Sequence, residues 1–221
     1  MPGYEEQRRK MVERYKRAGY IRSKSMEEAM LRVPREEFME PRHREHAYVD
    51  SPFPIPGDGR QTISAPYMYP VTYESLGLKR GERFLEVGAG SGYGAALAAE
   101  LVGEEGLVVT LEINPETYRF ALENLRRAGY SWVKVVLGDG SQGYPELAPY
   151  DAVSVTASTP RIPPPLLEQL SVGGRLVAPV GGPGHWGQDL VLVTKTNEGY
   201  TRRRLMGVVY VPLQGKYGFP E

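Results

Sequence analysis

Hydrophobic and polar positions divide the chain into two parts. From residue 75 to residue 211, short apolar runs alternate with amphipathic segments. This pattern predicts β-strands at 83–87, 107–112, 133–137, 151–155, 175–180, 189–194 and 205–211. Helices are predicted at 92–102, 115–128 and 163–170. We therefore expect an α/β fold with a doubly wound, mostly parallel seven-stranded sheet. The last three strands have no long helices between them, so they should pair at least partly antiparallel.

The first 65 residues follow a different pattern. A highly charged helix is predicted over 4–18, ending at Gly19. A second helix is predicted over 25–31, with Ser25 as N-cap and Glu28 completing a capping box. Residues 33–66 are rich in proline and glycine, as long functional loops often are. The α/β part therefore carries an N-terminal helical extension.

Composition narrows the range of functions. The 27 Lys and Arg residues balance the 27 Asp and Glu residues, whereas nucleic-acid binders usually carry a basic excess. The absence of cysteine excludes disulfides, zinc–thiolate sites and a cysteine nucleophile. His43 and His46 lie in a stretch rich in proline and arginine, and we expect no metal site there. No long apolar run and no signal-peptide core are present, so we expect a cytoplasmic protein with no membrane partner.

A glycine-rich turn follows the first strand of the α/β part. Gly88, Gly90 and Gly92 let the backbone turn tightly against a ligand, and the next helix directs free N–H groups to the same place. Such a turn serves several nucleotide cofactors. A dinucleotide fingerprint starting at Gly88 would need glycine at position 93, where this chain has tyrosine. One starting at Gly90 fits as G-x-G-x-x-A, but it lies two residues late relative to the strand.

Three acidic residues lie at the ends of successive predicted strands. Glu86 comes two residues before Gly88, Glu112 ends the second strand, and Asp139 with Gly140 follows the third. These carboxylates would repel a pyrophosphate but would suit the cationic S-adenosylmethionine. We expect Glu112 to accept the ribose hydroxyls, Asp139 to accept the adenine amino group, and Glu86 to face the methionine end. Taken singly, each acid could instead be an exposed strand-end carboxylate or part of a turn.

Several further stretches resemble the protein-L-isoaspartate (D-aspartate) O-methyltransferase family. They lie in family order at 33–38, 47–50, 61–68, 138–140, 148–151, 169–176, 179–181 and 211–215. The segment 62–66 (Thr-Ile-Ser-Ala-Pro) is the most discriminating, because it lies outside the general methyltransferase core.

The resemblance implies a Rossmann-like, adenosylmethionine-dependent methyltransferase fold and a single domain over 1–221. Residues 1–65 would form the N-terminal helices and a loop that covers the substrate, and residues 66–221 the cofactor-binding core. The implied reaction transfers the methyl group of S-adenosylmethionine to the free α-carboxylate of L-isoaspartyl residues in damaged proteins and peptides. The ester then closes to a succinimide and hydrolyses partly to normal aspartate. We expect a monomer with no nucleic-acid partner.

The resemblance also assigns acceptor-site residues. Ser64 corresponds to the family's active-site serine, and Thr62, Ile63 and Tyr67 are expected beside the substrate. The family usually has histidine at Tyr67, and often histidine or valine at Tyr69; tyrosine can still stack and donate a hydrogen bond. A structural alternative for Ser64 is the N-cap of a helix starting near Pro66.

Two other functions fit the same fold. The first is an RNA or DNA methyltransferase, against which stand the zero net charge and the sequence Ser-Val-Thr-Ala at 154–157, where an Asn/Asp-Pro-Pro-Tyr/Phe motif would be expected. The second is a module that binds adenosylmethionine without catalysis. This function would be favoured if tyrosine at positions 67 and 69, in place of the residues usual in the family, abolished activity. A methyl-transfer assay on an isoaspartyl peptide distinguishes all three.

Overall fold

A computed structural model describes residues 3–183 and 187–220, and its centre is a seven-stranded sheet. The strands are β3 (Arg83–Val87), β4 (Leu107–Glu112), β5 (Lys134–Leu137), β6 (Tyr150–Val155), β7 (Leu170–Val180), β8 (Gln188–Thr196) and β9 (Gly199–Val208). Their order is β5-β4-β3-β6-β7-β8-β9. The first five pair in parallel and the last two join antiparallel, which confirms the predicted architecture.

Six α-helices, one small hairpin and four short 3₁₀ helices, at Arg35–Phe38, Pro41–His46, Gly140–Gln142 and Pro145–Leu147, complete the described fold. The helices are α1 (Tyr4–Arg17), α2 (Lys24–Arg32), α3 (Met68–Leu76), α4 (Tyr93–Val102), α5 (Pro115–Arg127) and α6 (Pro164–Glu168). The hairpin pairs β1 (Phe53–Pro54) with β2 (Thr62–Ile63). Helix α5 starts as predicted, because the Asn114 side chain accepts the N–H groups of Glu116 and Thr117 at 2.9 and 3.1 Å.

The N-terminal helices pack into the core that also holds α4. Met11, Tyr15, Met26 and Met30 are buried and belong to the same hydrophobic cluster as the apolar residues of α4. A second cluster lies around α6 and contains Leu166. The segment that follows α2 packs against α5 and bonds to the loop before α3. The division of the domain at residue 65 stays a prediction. Among the described residues, no helix has the length and apolar character needed to cross a membrane.

The capping box predicted for α2 is wrong. The N-cap is Ser23, whose hydroxyl accepts the Met26 N–H at 3.2 Å, and Ser25 lies inside the first turn. The reason is a contact distant in sequence. The Glu74 carboxylate accepts both the backbone N–H and the hydroxyl of Ser23, at 2.7 and 2.9 Å, and so fixes where the helix begins.

The last strand begins earlier than the pattern predicts. The pattern predicts a strand over 205–211, whereas β9 spans Gly199–Val208. Its first half contains Arg202, Arg203 and Arg204, which are exposed on both faces. An edge strand of this kind lacks the alternation of buried and exposed positions that reveals most strands, and its charges discourage pairing with other chains.

Candidate active site

A large cleft opens at the carboxyl ends of β3 and β6, where open α/β sheets bind ligands. It has a volume of about 1160 Å³. The predicted site residues that line it are Thr62, Ser64, Tyr67, Glu86, Gly88 and Gly90. A smaller pocket of about 90 Å³ shares Thr62, Gly88 and Gly90 with the cleft and is also lined by Glu112 and Gly140. The structure therefore gathers most of the predicted residues around two connected spaces.

Three predicted residues have other surroundings. The Ile63 side chain packs into the hydrophobic core. Gly92 is the N-cap of α4, with a φ of +86°, and a side chain there would press against Leu125. Asp139 lies beside the smaller pocket and bonds to other parts of the chain. The predicted ligand contacts of these three residues stay predictions.

The glycine turn needs glycine for two separate reasons. Gly88 and Gly90 have φ values of +96° and +54°, a region that side chains disfavour. A Cβ atom at Gly88 would also overlap the hydroxyl of Thr156. That hydroxyl donates to the carbonyls of Val87 and Gly88 at 2.9 and 2.8 Å. Thr156 thus stabilises the turn from the neighbouring strand end.

Glu112, the last residue of β4, connects this strand to the glycine turn. Its carboxylate accepts the Gly90 N–H and the Asn114 N–H, both at 3.1 Å, and the residue is 6% exposed. Burial raises the pKa of this carboxyl, and the backbone donors partly oppose the rise. Each carboxylate oxygen can accept a further hydrogen bond. Glu112 can therefore accept ligand hydroxyls in the smaller pocket that it lines.

Glu86 is a buried acid at the base of the larger cleft. It is 1% exposed and accepts the Thr110 hydroxyl at 2.7 Å, with the Tyr73 hydroxyl at 3.4 Å from its other oxygen. Burial raises its pKa to about 8. Within the described part of the chain it forms no ion pair. Without a ligand beside it, this acid is therefore mostly protonated at neutral pH, and a positively charged ligand would favour the ionised carboxylate that burial disfavours.

Asp139 anchors the C-terminal segment. Its carboxylate accepts the Ser141 N–H and hydroxyl at 2.9 and 2.6 Å, the Gln142 amide at 3.0 Å and the Lys216 N–H at 2.9 Å. Burial opposes ionisation, but these donors keep the pKa of Asp139 below its usual value. Both oxygens are thus already engaged with the protein. Its neighbour Gly140 is the residue that lines the smaller pocket.

Ser64 lies in the cleft and does not cap a helix. Helix α3 begins at Met68, its N-cap is Tyr67, and no side chain caps it. A turn precedes the helix, since the Met68 N–H donates to the Ala65 carbonyl at 3.1 Å. The alternative interpretation of Ser64 as an N-cap is therefore wrong. Tyr210 lines the same cleft, and burial raises the pKa of its hydroxyl.

The two tyrosines that differ from the family pattern are packed in place. Tyr67 lies 5.5 Å from the Tyr20 ring, and Tyr69 meets the Tyr93 ring edge-on at 4.9 Å. Both line the cleft. Their rings therefore form part of the wall around Ser64.

Sequence reasoning missed Thr156, Tyr210 and Arg35. Tyr210 lines the cleft opposite the 62–69 segment, and its N–H donates to the Gln188 side chain at 2.8 Å. Arg35 donates to the Ser64 carbonyl at 2.8 Å. Two of them could have been found from their place in the sequence. Arg35 lies inside the stretch 33–38 that resembles the family, and Tyr210 directly precedes the stretch 211–215. Among residues 3–183 and 187–220, no group of three or more His, Cys, Asp or Glu residues could hold a metal ion.

Comparison with known proteins gives one consistent result. Residues 6–218 match the family model of protein-L-isoaspartate(D-aspartate) O-methyltransferase. A protein-L-isoaspartate O-methyltransferase of Methanopyrus kandleri is 53% identical over 216 residues, covering 97% of this chain and 94% of the relative. The corresponding protein of Hyperthermus butylicus is 49% identical over 227 residues, covering 99% and 92%.

Solved structures agree with these relatives. One protein-L-isoaspartate O-methyltransferase superposes with a TM-score of 0.86 at 32% identity, covering 96% of this chain and 67% of that one. A protein of that kind from Plasmodium falciparum, in complex with S-adenosyl-L-homocysteine, superposes with a TM-score of 0.83 at 29% identity. The match covers 97% of this chain and 99% of the other.

Proposed function

The chain belongs to the protein-L-isoaspartate(D-aspartate) O-methyltransferase family, and we propose that its cleft methylates the free α-carboxylate of L-isoaspartyl residues in proteins and peptides. S-adenosylmethionine is the methyl donor of this reaction. The observation that carries the assignment of the site is the sharing of one cleft by the Glu86 carboxylate and the Ser64 hydroxyl. The acid suits a cationic donor, and the hydroxyl suits an anionic acceptor.

The residues that line the two pockets fit S-adenosylmethionine. Glu112 accepts the ribose hydroxyls, and Glu86 provides negative charge for the methionine end, as the lining of the two connected pockets supports. Gly88 and Gly90 allow the turn to form, because its positive φ angles are disfavoured for residues with a side chain. When bound, S-adenosylmethionine supplies an electrophilic methyl group on a positively charged sulfur.

The part of the cleft around Ser64 promotes the reaction by orienting the acceptor carboxylate. An isoaspartyl α-carboxylate is already ionised at neutral pH, so no general base is needed to activate it. Ser64 donates its hydroxyl to one carboxylate oxygen and leaves the other free to react. This hydrogen bond is charge-assisted and therefore among the stronger kinds. Correct orientation of reacting groups can contribute roughly 7–11 kcal/mol to lowering a barrier.

Replacing Glu112 tests the cofactor half of the proposal. Glu112→Ala removes the expected acceptor for the ribose hydroxyls and should weaken S-adenosylmethionine binding by about 1.5–3 kcal/mol, or ten- to a hundredfold. Calorimetry measures the affinity, and Glu116→Ala, an exposed acid on α5, is the control. Unchanged affinity in Glu112→Ala, or preferential binding of NAD by the wild type, contradicts this assignment.

The class of acceptor is tested with labelled S-adenosylmethionine. We expect label on a protein aged to accumulate isoaspartyl residues, released by mild alkali as a carboxyl methyl ester would be. Transfer RNA in the same mixture should stay unlabelled. Label on the RNA instead would favour the alternative function. The monomeric state and the cytoplasmic location expected from the sequence stay predictions, and sedimentation velocity tests the first.

A further inference from the structure

Arg35 is a buried cation next to the proposed acceptor site. Its side chain is 0% exposed, and within the described part of the chain it forms no ion pair. Burying a charge without an opposite charge is costly. The protein nevertheless holds this arginine in its interior, in the segment that follows α2. The Arg35 charge or its hydrogen bonds should therefore make a contribution that an apolar side chain would not make.

The contacts of Arg35 converge on Ser64. Its Nη2 donates to the Ser64 carbonyl and its Nε donates to the Ala47 carbonyl, both at 2.8 Å. The guanidinium lies 5.3 Å from the centre of the Tyr93 ring. Burial raises the pKa of Tyr69, and both the Arg35 charge and the Ser64 N–H oppose that rise. The Ser64 carbonyl is therefore held by Arg35, and Tyr69 lines the same cleft as Ser64.

We propose that Arg35 is a positioning residue for methyl transfer, which fixes the Ser64 backbone so that the hydroxyl meets the acceptor carboxylate. The inference rests on the proposed function. The rigid fork of a guanidinium bonds two carbonyls at once in a fixed geometry, which a lysine ammonium does not reproduce. Arg35 thereby connects residue 47 to the loop before α3, which lines the cleft. Its positive charge also favours an anionic acceptor.

A second arginine in the molecule provides a matched control. Arg175 is also largely buried and donates to the backbone carbonyls of Leu76 and Gly77, at 2.7 and 3.2 Å. It differs from Arg35 because it pairs with Glu82 at 2.9 Å. Neither Arg175 nor its partners line the cleft. Arg175→Lys should thus reproduce the loss of an arginine fork without affecting Ser64.

The experiment compares Arg35→Lys with Arg175→Lys in two backgrounds, wild type and Ser64→Ala. With an isoaspartyl peptide, Arg35→Lys should lower kcat about 10- to 100-fold, because small misplacements of reacting groups have effects of that size. S-adenosylmethionine affinity should stay within about twofold. In the Ser64→Ala background the same change should have little further effect, since residues that act through one another are not additive. Arg35→Gln, which also removes the charge, should raise KM for the peptide as well.

Three results would overturn the inference. The first is that Arg35→Lys lowers kcat no more than Arg175→Lys does. The second is that Arg35→Lys lowers kcat by the same factor in the wild-type and Ser64→Ala backgrounds. The third is that neither Arg35 variant folds while Arg175→Lys does, which would make Arg35 purely structural. If only Arg35→Lys fails to fold, Arg35→Gln is compared in the same two backgrounds. A wild type that leaves the peptide unmethylated contradicts the proposed function instead, so the two failures are distinguishable.

Discussion

Ser64→Ala should lower turnover on an isoaspartyl peptide about ten- to a hundredfold, equivalent to about 1.5–3 kcal/mol in the barrier. The variant loses the hydroxyl that orients the acceptor carboxylate. Binding of S-adenosylmethionine should be nearly unchanged, because the residues expected to hold it lie on the strand ends and the glycine turn. Steady-state kinetics and calorimetry on the same preparation measure both quantities.

The stability of Ser64→Ala separates catalysis from helix capping. Since no side chain caps α3, the melting temperature should barely change. Ser23→Ala is the control: it removes the true N-cap of α2, so it should cost about 1 kcal/mol of stability and leave turnover intact. A Ser64→Ala variant with full activity would show that the hydroxyl has no part in the reaction.

Glu86→Gln should make the protein without cofactor more stable at pH 8 and leave its stability at low pH unchanged. In the folded chain burial raises the pKa of Glu86 from 4.5 to about 8. Below pH 4.5 the group is protonated in both states. As the pH rises above this value, the unfolded chain loses the proton and the folded chain keeps it, so stability falls until the pH passes about 8. The expected gain for glutamine at pH 8 is on the order of 4 kcal/mol.

Thermal unfolding from pH 4 to pH 9 measures this difference. The wild-type and Glu86→Gln curves should diverge as the pH rises, whereas Glu116→Gln, at an exposed position, should follow the wild type. The stabilised variant should also bind S-adenosylmethionine more weakly, because it has lost the negative charge that faces the cation. Parallel stability curves for Glu86→Gln and the wild type would contradict the proposed state of this acid.

The sequence was informative wherever a local pattern decides the structure. Glu86 and Glu112 follow from the spacing of parallel strands, whose carboxyl ends meet at one edge. The start of α5 follows from Asn114 and Pro115, because a side-chain cap and a preset φ act within a few residues. The same logic identified Ser64 as a candidate, through a short segment that resembles the family.

Contacts between distant residues were beyond sequence reasoning. Asp139 is saturated partly by Lys216, 77 positions away, and Ser23 is fixed by Glu74, 51 positions away. Arg35 stands beside two glutamates in a stretch that suggests a solvated surface, and only tertiary packing buries it. Burial and long-range partners depend on the whole fold, so periodicity and propensity do not reveal them.

Methylation of a matched pair of peptides tests the central claim most directly. The two peptides have the same sequence, and one contains L-isoaspartate where the other contains aspartate, so that they differ only in which carboxylate is free. With labelled S-adenosylmethionine and wild-type protein, we predict an alkali-labile methyl ester on the isoaspartyl peptide and none on its twin. Equal labelling of the two peptides, or no labelling of either by protein that binds the cofactor, would contradict the account.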